Sequence, residues 1–270
     1  MSESIILSRT KLETFLTCQR RFALRYRQRM AWPEQLLPLQ SERLLQQGKL
    51  FHQLLERHFL GLPVEPVVDD DRVRTWWRLF QHSEMATING RVLPEHTLTI
   101  PLGQHLLTGR FDLLVLEERD GAPFVHIFDW KTGHPRKKAA LHQDWQTRVY
   151  LAMVMEGHAA LWENGRTLPA DHITLTYWYA QDAQTPITFT YNDAWHTQNW
   201  AELVQTAKAI TQALTDNQWP LTDNLAVCSG CAFQVYCGRQ AAPSSPAAAI
   251  DVDELPSEDE DSLFVEPDLP

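Results

Sequence analysis

Phe128-Asp129-Trp130-Lys131-Thr132-Gly133 is the stretch on which the reading of this chain turns. Side chains alternate along an extended strand, so Asp129 and Lys131 share one face while Phe128 and Trp130 take the other. His126-Ile127-Phe128 before it and Thr132-Gly133 after it describe an apolar strand ending in a turn. An acid beside an amine at a strand end can hold a divalent cation and a water next to a phosphate. A surface salt bridge is the plainer account of one isolated Asp-x-Lys.

Outward from that strand, the residues order themselves into a mixed α/β pattern. Thr10-Lys11-Leu12-Glu13 has the form of a capping box opening one amphipathic helix to about Arg29, and further helices are expected at 42–59 and 71–84. Strand-like runs follow at 95–101, 105–116 and 124–131, separated by turn signals at Gly103 and Asp120-Gly121. A helix over 139–156, strands at 172–179 and 187–191 around a turn at 182–186, and a helix over 193–215 complete the body. Helices, an antiparallel meander, then helix and strands imply an α/β domain around a central mixed sheet flanked by helices.

Composition sets the boundaries. With 270 residues and 44% apolar content the chain can bury a core unaided. No run reaches the roughly 18 apolar residues of a membrane span, and the first residues lack a signal-peptide layout, so no membrane association and a cytoplasmic location are expected. The net charge of −10 is concentrated at the end: residues 241–270 hold nine acids and no Lys or Arg, leaving 25 acidic against 24 basic residues elsewhere. Global charge therefore neither excludes nor predicts a DNA partner. That Ala-, Pro-, Ser- and acid-rich segment reads as a disordered tail behind a domain of residues 1–240. Its Asp259-Glu260-Asp261-Ser262-Leu263-Phe264 has the form of a docking peptide for a repair protein, with a solubilising tail as the plainer reading.

Four cysteines are present, Cys18 on the first helix and Cys228, Cys231 and Cys237 in a C-x2-C-x5-C group. Reduced thiols in this setting suit a metal better than disulfides, and the spacing fits zinc and an iron–sulfur cluster equally. Ligation would close the domain like a clasp. Asp112, in Gly109-Arg110-Phe111-Asp112, lies in an apolar strand where an unpaired charge is costly. His52 follows Gly48 by one helical turn, and Gln146 and Tyr150 share a helix face. Each has a bland alternative: a capped core aspartate, a packed histidine, a chance pair.

Taken in order, Gly48-x-x-x-His52, Gly109-x-x-Asp112, Asp129-x-Lys131-Thr132-Gly133 and Gln146-x-x-x-Tyr150 resemble the RecB-like branch of the PD-(D/E)XK nucleases. The opening Leu12 to Phe22 and the closing cysteines resemble its iron–sulfur subgroup, that of the AddB nuclease domain and the CRISPR-associated RecB-like exonucleases. The resemblance covers about residues 8–238. It implies a restriction-endonuclease-like core with an N-/C-terminal iron–sulfur clasp, and a metal-dependent deoxyribonuclease in which His52, Asp112, Asp129 and the Trp130 carbonyl ligate Mg²⁺ or Mn²⁺. By the same resemblance Lys131 is the catalytic lysine, Gln146 and Tyr150 support it, Glu95 has a role outside the ligand set, and Cys18, Cys228, Cys231 and Cys237 hold a [4Fe–4S] cluster. Gln19 departs from the proline many relatives carry there.

The activity so implied is exonucleolytic cleavage of single-stranded DNA or duplex ends in repair or recombination, with Arg20, Arg21, Arg25, Arg136, Lys137 and Lys138 as candidate backbone contacts. A non-catalytic DNA-binding or scaffold subunit of a helicase–nuclease complex is the alternative, and a structural zinc protein a third. No helicase motif is present, so any motor partner is a separate polypeptide.

Overall fold

The computed structural model describes residues 4–30, 39–64, 70–162 and 166–239; the acidic segment from 241 lies outside the described residues. Its centre is a six-stranded mixed sheet. The long strands β2 (Arg91–Leu102), β3 (His105–Arg119) and β4 (Ala122–Lys131) form the expected antiparallel meander. β5 (Ile173–Tyr179) runs parallel to β4, and β6 (Asp182–Thr190) closes the far edge antiparallel to β5. A two-residue strand β1 (Ile6–Leu7), absent from the sequence reading, pairs parallel with β3 at Leu106 and Leu107.

Turn chemistry fixes these pairings. Asp120 and Gly121 link Arg119 to its partner Ala122 and have φ of 52° and 80°, the left-handed pair that a two-residue hairpin demands. The turn anticipated over Asp182–Pro186 is in fact the start of β6. The chain reverses earlier, through Ala180 and Gln181, because Tyr179 already pairs with Asp182.

Helices cover both faces. On one lie α1 (Arg9–Thr17), α6 (Trp145–Gly157) and α7 (Asp193–Asp216), burying Leu12, Phe15, Leu151, Val154, Leu203 and Ile210 against sheet residues such as Leu114 and Ile127. On the other, α3 (Leu39–Phe59) and α4 (Asp71–Gln81) pack Phe51, Leu55, Trp76 and Phe80 over Trp130 and Trp178. Each apolar strand side chain removed from water contributes roughly 1.5–3 kcal/mol, so both layers are anchored by the same strands.

Three helix boundaries differ from the sequence reading. Ser8, not Thr10, caps α1: its hydroxyl accepts the Lys11 N–H at 3.3 Å. The first helix is not continuous to Arg29. Cys18 is extended (φ −161°), ends α1, and caps the short helix α2 (Gln19–Phe22) with its thiol, after which residues 23–27 widen into a π-helical turn. The helix expected over 139–156 breaks at Asp144 into α5 (Lys138–Gln143) and α6, because the Asp144 carboxylate accepts the Gln146 N–H at 2.8 Å and starts a fresh helix there.

Two glycines set helices close to the sheet. A Cβ on Gly48 of α3 would lie 3.2 Å from Thr132 Oγ1, so this helix crosses directly over the end of β4. A Cβ on Gly157 of α6 would meet Ile100 at 2.7 Å and Leu98 at 2.8 Å. Gly157→Ala is therefore expected to destabilise the protein by about 1–3 kcal/mol through overpacking, read as a lowered midpoint in urea unfolding. An unchanged midpoint would mean that α6 is free to shift away from β2.

Candidate metal-dependent active site

The site arises where the sheet stops being a sheet. β3 and β4 pair from Arg119–Ala122 up to Leu113–Phe128 and then part. The next position in that register would set Asp112 opposite Asp129. Instead the Asp112 carboxylate accepts the Trp130 backbone N–H at 2.8 Å, replacing a ladder bond with a side-chain one. The N–H and C=O of a strand residue point to the same edge, so the Trp130 carbonyl faces this fork as well.

On the other side of β3, the pairs Pro94–Leu113 and His96–Phe111 bracket Glu95 and Asp112. Glu95 has φ of 48°, a left-handed conformation that a non-glycine residue holds inside a strand only under constraint. Beyond this point the alternation inverts in both strands. Phe111 and Leu98 belong to the core beneath α6, and so do Leu114 and Leu93, which strict period two would send to the other face. Glu95, Asp112 and Asp129 thus stand in one row across three strands, at the place where the pleat changes hand.

His52 reaches the row from α3, its Nδ1 3.6 Å from Asp112 Oδ1. One ligand atom each from His52, Glu95 and Asp112 lies within 4.8 Å of the other two, an arrangement that can hold a metal ion. An imidazole with two carboxylates suits Mg²⁺ or Mn²⁺. Glu95, given a role outside the ligand set by sequence, therefore stands inside the convergent group. Asp129, expected as a ligand, is turned toward the opposite layer. Lys131 Nζ is 2.8 Å from its Oδ1, and Gln146 Nε2 donates to its Oδ2 at 2.6 Å. Gln146 Oε1 accepts from Lys131 at 3.1 Å, so one amide holds both members of the Asp-x-Lys pair. Lys131 also lies 5.7 Å over the Tyr177 ring. Tyr150 acts elsewhere: its hydroxyl donates to the Arg110 carbonyl at 2.7 Å and so holds β3 two residues before Asp112.

Burial, more than repulsion along the row, bears on the protonation of these three acids. Burial, with the Asp112 charge adding to it, pushes Glu95 up to about 7. Burial also raises Asp129, to about 6, against the opposing pull of Lys131. Burial works against the Asp112 charge too, yet His52, Lys131 and the Trp130 N–H hold its carboxyl below the usual range. Burial raises the Tyr150 hydroxyl further, keeping it a neutral donor.

The remaining predicted residues separate into two regions. Cys18, Cys228, Cys231 and Cys237 line one pocket with Arg21, Phe233 and Gln234, and burial together with the neighbouring thiols raises Cys237. No three of their sulfurs lie within 4.8 Å of one another, so the geometry by itself does not establish a clasp. The Arg20 charge opposes the rise at Cys237, and Arg25 lies 5.2 Å over the Tyr26 ring. Arg136 is paired with Asp144 at 2.8 Å, Lys138 donates to the Thr188 carbonyl at 2.7 Å, and Lys137 is exposed. No described helix is long and apolar enough to cross a membrane.

The family model described as the PD-(D/E)XK nuclease superfamily matches residues 6–238. The chain belongs to that superfamily. Its fold is similar to the crystal structure of a candidate exonuclease from Eubacterium rectale, with a TM-score of 0.54 over 92% of each chain at 11% identity. The crystal structure of SSO0001, at 14% identity over 90% of this chain and 89% of that one, has a TM-score of 0.40, too low to carry an argument. No curated protein matches the sequence. Membership makes this a nuclease-type, divalent-metal-dependent hydrolase fold, with the acids of the fork as its candidate centre.

Because Glu95 is raised to about 7 and Asp129 to about 6, protons compete with a cation for the fork as pH falls through that window. Mn²⁺ affinity, followed by calorimetric titration, is expected to be full above pH 7.5 and to drop more than about tenfold by pH 5.5. Glu95→Gln should weaken binding and remove the upper part of that pH dependence. A flat profile would show that these carboxylates do not take part.

Proposed function

We propose that the protein is a metal-dependent deoxyribonuclease, an exonuclease acting on single-stranded DNA or duplex ends in repair or recombination within the cytoplasm. The observation that carries this reading is the fork itself: His52, Glu95 and Asp112 converge beside an Asp129–Lys131 pair that Gln146 holds in place.

The chemistry divides among these residues. A divalent cation, when bound, polarises the phosphoryl oxygen and the attacking water. His52, Glu95 and Asp112 would hold it, with the Trp130 carbonyl at the same fork; Asp129 would join them only by turning from its partners Lys131 and Gln146. The Lys131 ammonium neutralises Asp129. With DNA bound, it would orient the water in line with the scissile phosphorus, as Gln146 fixes its direction. The water gives up a proton to solvent as its oxygen forms the new P–O bond, the bond to the leaving sugar oxygen breaks, and that oxygen takes up a proton from solvent.

The cysteines enter this reading as ligands of a [4Fe–4S] cluster with a structural role. Tetrahedral zinc with Zn–S near 2.3 Å would draw the sulfurs to about 3.8 Å apart. Zinc and a cluster both need four thiolates, which the cysteines lining one pocket can supply, and the resemblance to iron–sulfur nucleases is what favours the cluster. Anaerobically purified protein is expected to be brown, with about four irons and four sulfides per chain. A colourless, zinc-loaded preparation would refute the cluster. DNA contacts from Arg20, Arg21, Arg25 and Lys137, and docking of the acidic tail on a helicase or repair protein, belong to the same proposal.

Release of nucleotides from end-labelled single-stranded DNA with Mn²⁺ tests the catalytic claim. Lys131→Ala and Asp129→Ala should each lose at least about a hundredfold in rate while remaining folded by circular dichroism. Strong DNA binding with no metal-dependent cleavage by the wild type would favour the scaffold reading instead.

A further inference from the structure

Glu95 is shared between two sets of partners. Its carboxylate belongs to the convergent ligand group with His52 and Asp112, and it also pairs with Arg110, whose Nε is 3.2 Å from Glu95 Oε2. Arg110 is nearly half exposed, with 46% of its side-chain surface open, whereas Glu95 is mostly covered at 22%. Its backbone is fixed from below by the Tyr150 hydroxyl on its carbonyl. It also sits on the stretch of β3 between the β1 and β4 pairings, two residues before Asp112.

One carboxylate serving a metal ion has less charge to offer a guanidinium. We propose that Arg110 is a phosphate-binding residue controlled by the metal: held on Glu95 in the metal-free protein, it is released when Glu95 takes up a cation, and it then grips a DNA backbone phosphate at the mouth of the fork. The inference rests on the nuclease reading and adds to it the residue that couples metal occupancy to substrate capture. A planar, always-charged fork of donors suits a phosphate better than a lysine does. The arrangement also keeps DNA off a fork not yet loaded with metal, because the arginine that would hold the strand is occupied.

The measurement is equilibrium binding of a fluorescent single-stranded oligonucleotide by anisotropy, in EDTA and in Ca²⁺, alongside Mn²⁺ titration of the protein without DNA. Wild type, Arg110→Ala, Arg110→Lys, Glu95→Gln and the double variant Glu95→Gln/Arg110→Ala are compared as full-length chains. For Arg110→Ala the expected result is DNA affinity about tenfold weaker in Ca²⁺, with the salt slope reduced by about 0.7, and no change in EDTA. Its Mn²⁺ affinity should be equal or severalfold tighter, since a competing cation is gone. Arg110→Lys should recover part of the DNA binding in Ca²⁺. Glu95→Gln should bind DNA in EDTA more tightly than the wild type, and the double variant should lose that gain, which separates release of Arg110 from the mere loss of a negative charge.

Weakened Mn²⁺ binding in Arg110→Ala would overturn the inference, because Arg110 would then be a support for Glu95. An equal loss of DNA affinity with and without Ca²⁺ would overturn it too. A wild type that gains no DNA affinity from Ca²⁺ and cleaves nothing with Mn²⁺ would instead sink the nuclease reading beneath it.

Discussion

Two neighbouring strands cease to pair at Asp112 and Asp129, and this parting governs the rest of the molecule. A closed sheet would wall His52, which arrives with α3 on one face, away from Gln146 and Lys131, which work on the other. The fork lets both helical layers address the same few ångströms. Opening it leaves backbone groups without ladder partners, and the Asp112 carboxylate answers for one of them by accepting the Trp130 N–H. The acid proposed to hold the metal is also the acid that makes the gap tolerable.

Charge balance follows from that geometry. Three carboxylates in a row across β2, β3 and β4 are held apart from one another electrostatically by His52, Arg110 and Lys131, each positioned by a different element. The fork is thus a set of ion pairs in which burial raises Glu95 and Asp129, while the partners of Asp112 hold its carboxyl down. Gly48 and Gly157 let α3 and α6 sit hard against side chains of the sheet, Thr132 under one and Leu98 and Ile100 under the other.

The sequence made much of this legible because several motifs carry their own physics. Asp129-x-Lys131 had to share a strand face, and does; Gln146 had to lie one helical turn before Tyr150, and does. Gly48, one helical turn before His52, marks a close approach, and the approach is to Thr132 at the end of β4. Glu95 was undervalued. Alternation assigns a strand residue to a face only while the pleat is regular, and at Glu95 the backbone turns left-handed. One signal was available: Pro94 just before it, a residue that strand interiors tolerate poorly and that marks an irregularity. Tyr150 was expected beside Lys131, yet its hydroxyl goes to the Arg110 carbonyl, since a side chain's partner depends on which strand lies above it and helix spacing says nothing of that.

What the sequence by itself determined is therefore the local order: which runs are strand or helix, which acid accompanies the lysine, and which turns reverse the chain. Left-handed Asp120-Gly121 and the alternating apolar residues leave those choices little freedom. Only the tertiary structure decided that β3 and β4 separate after Leu113, that Glu95 swings into the ligand group, and that Arg110 shares its carboxylate. These depend on registers between strands distant in sequence and on a backbone strain that the surrounding layers impose, neither of which is encoded within any one segment.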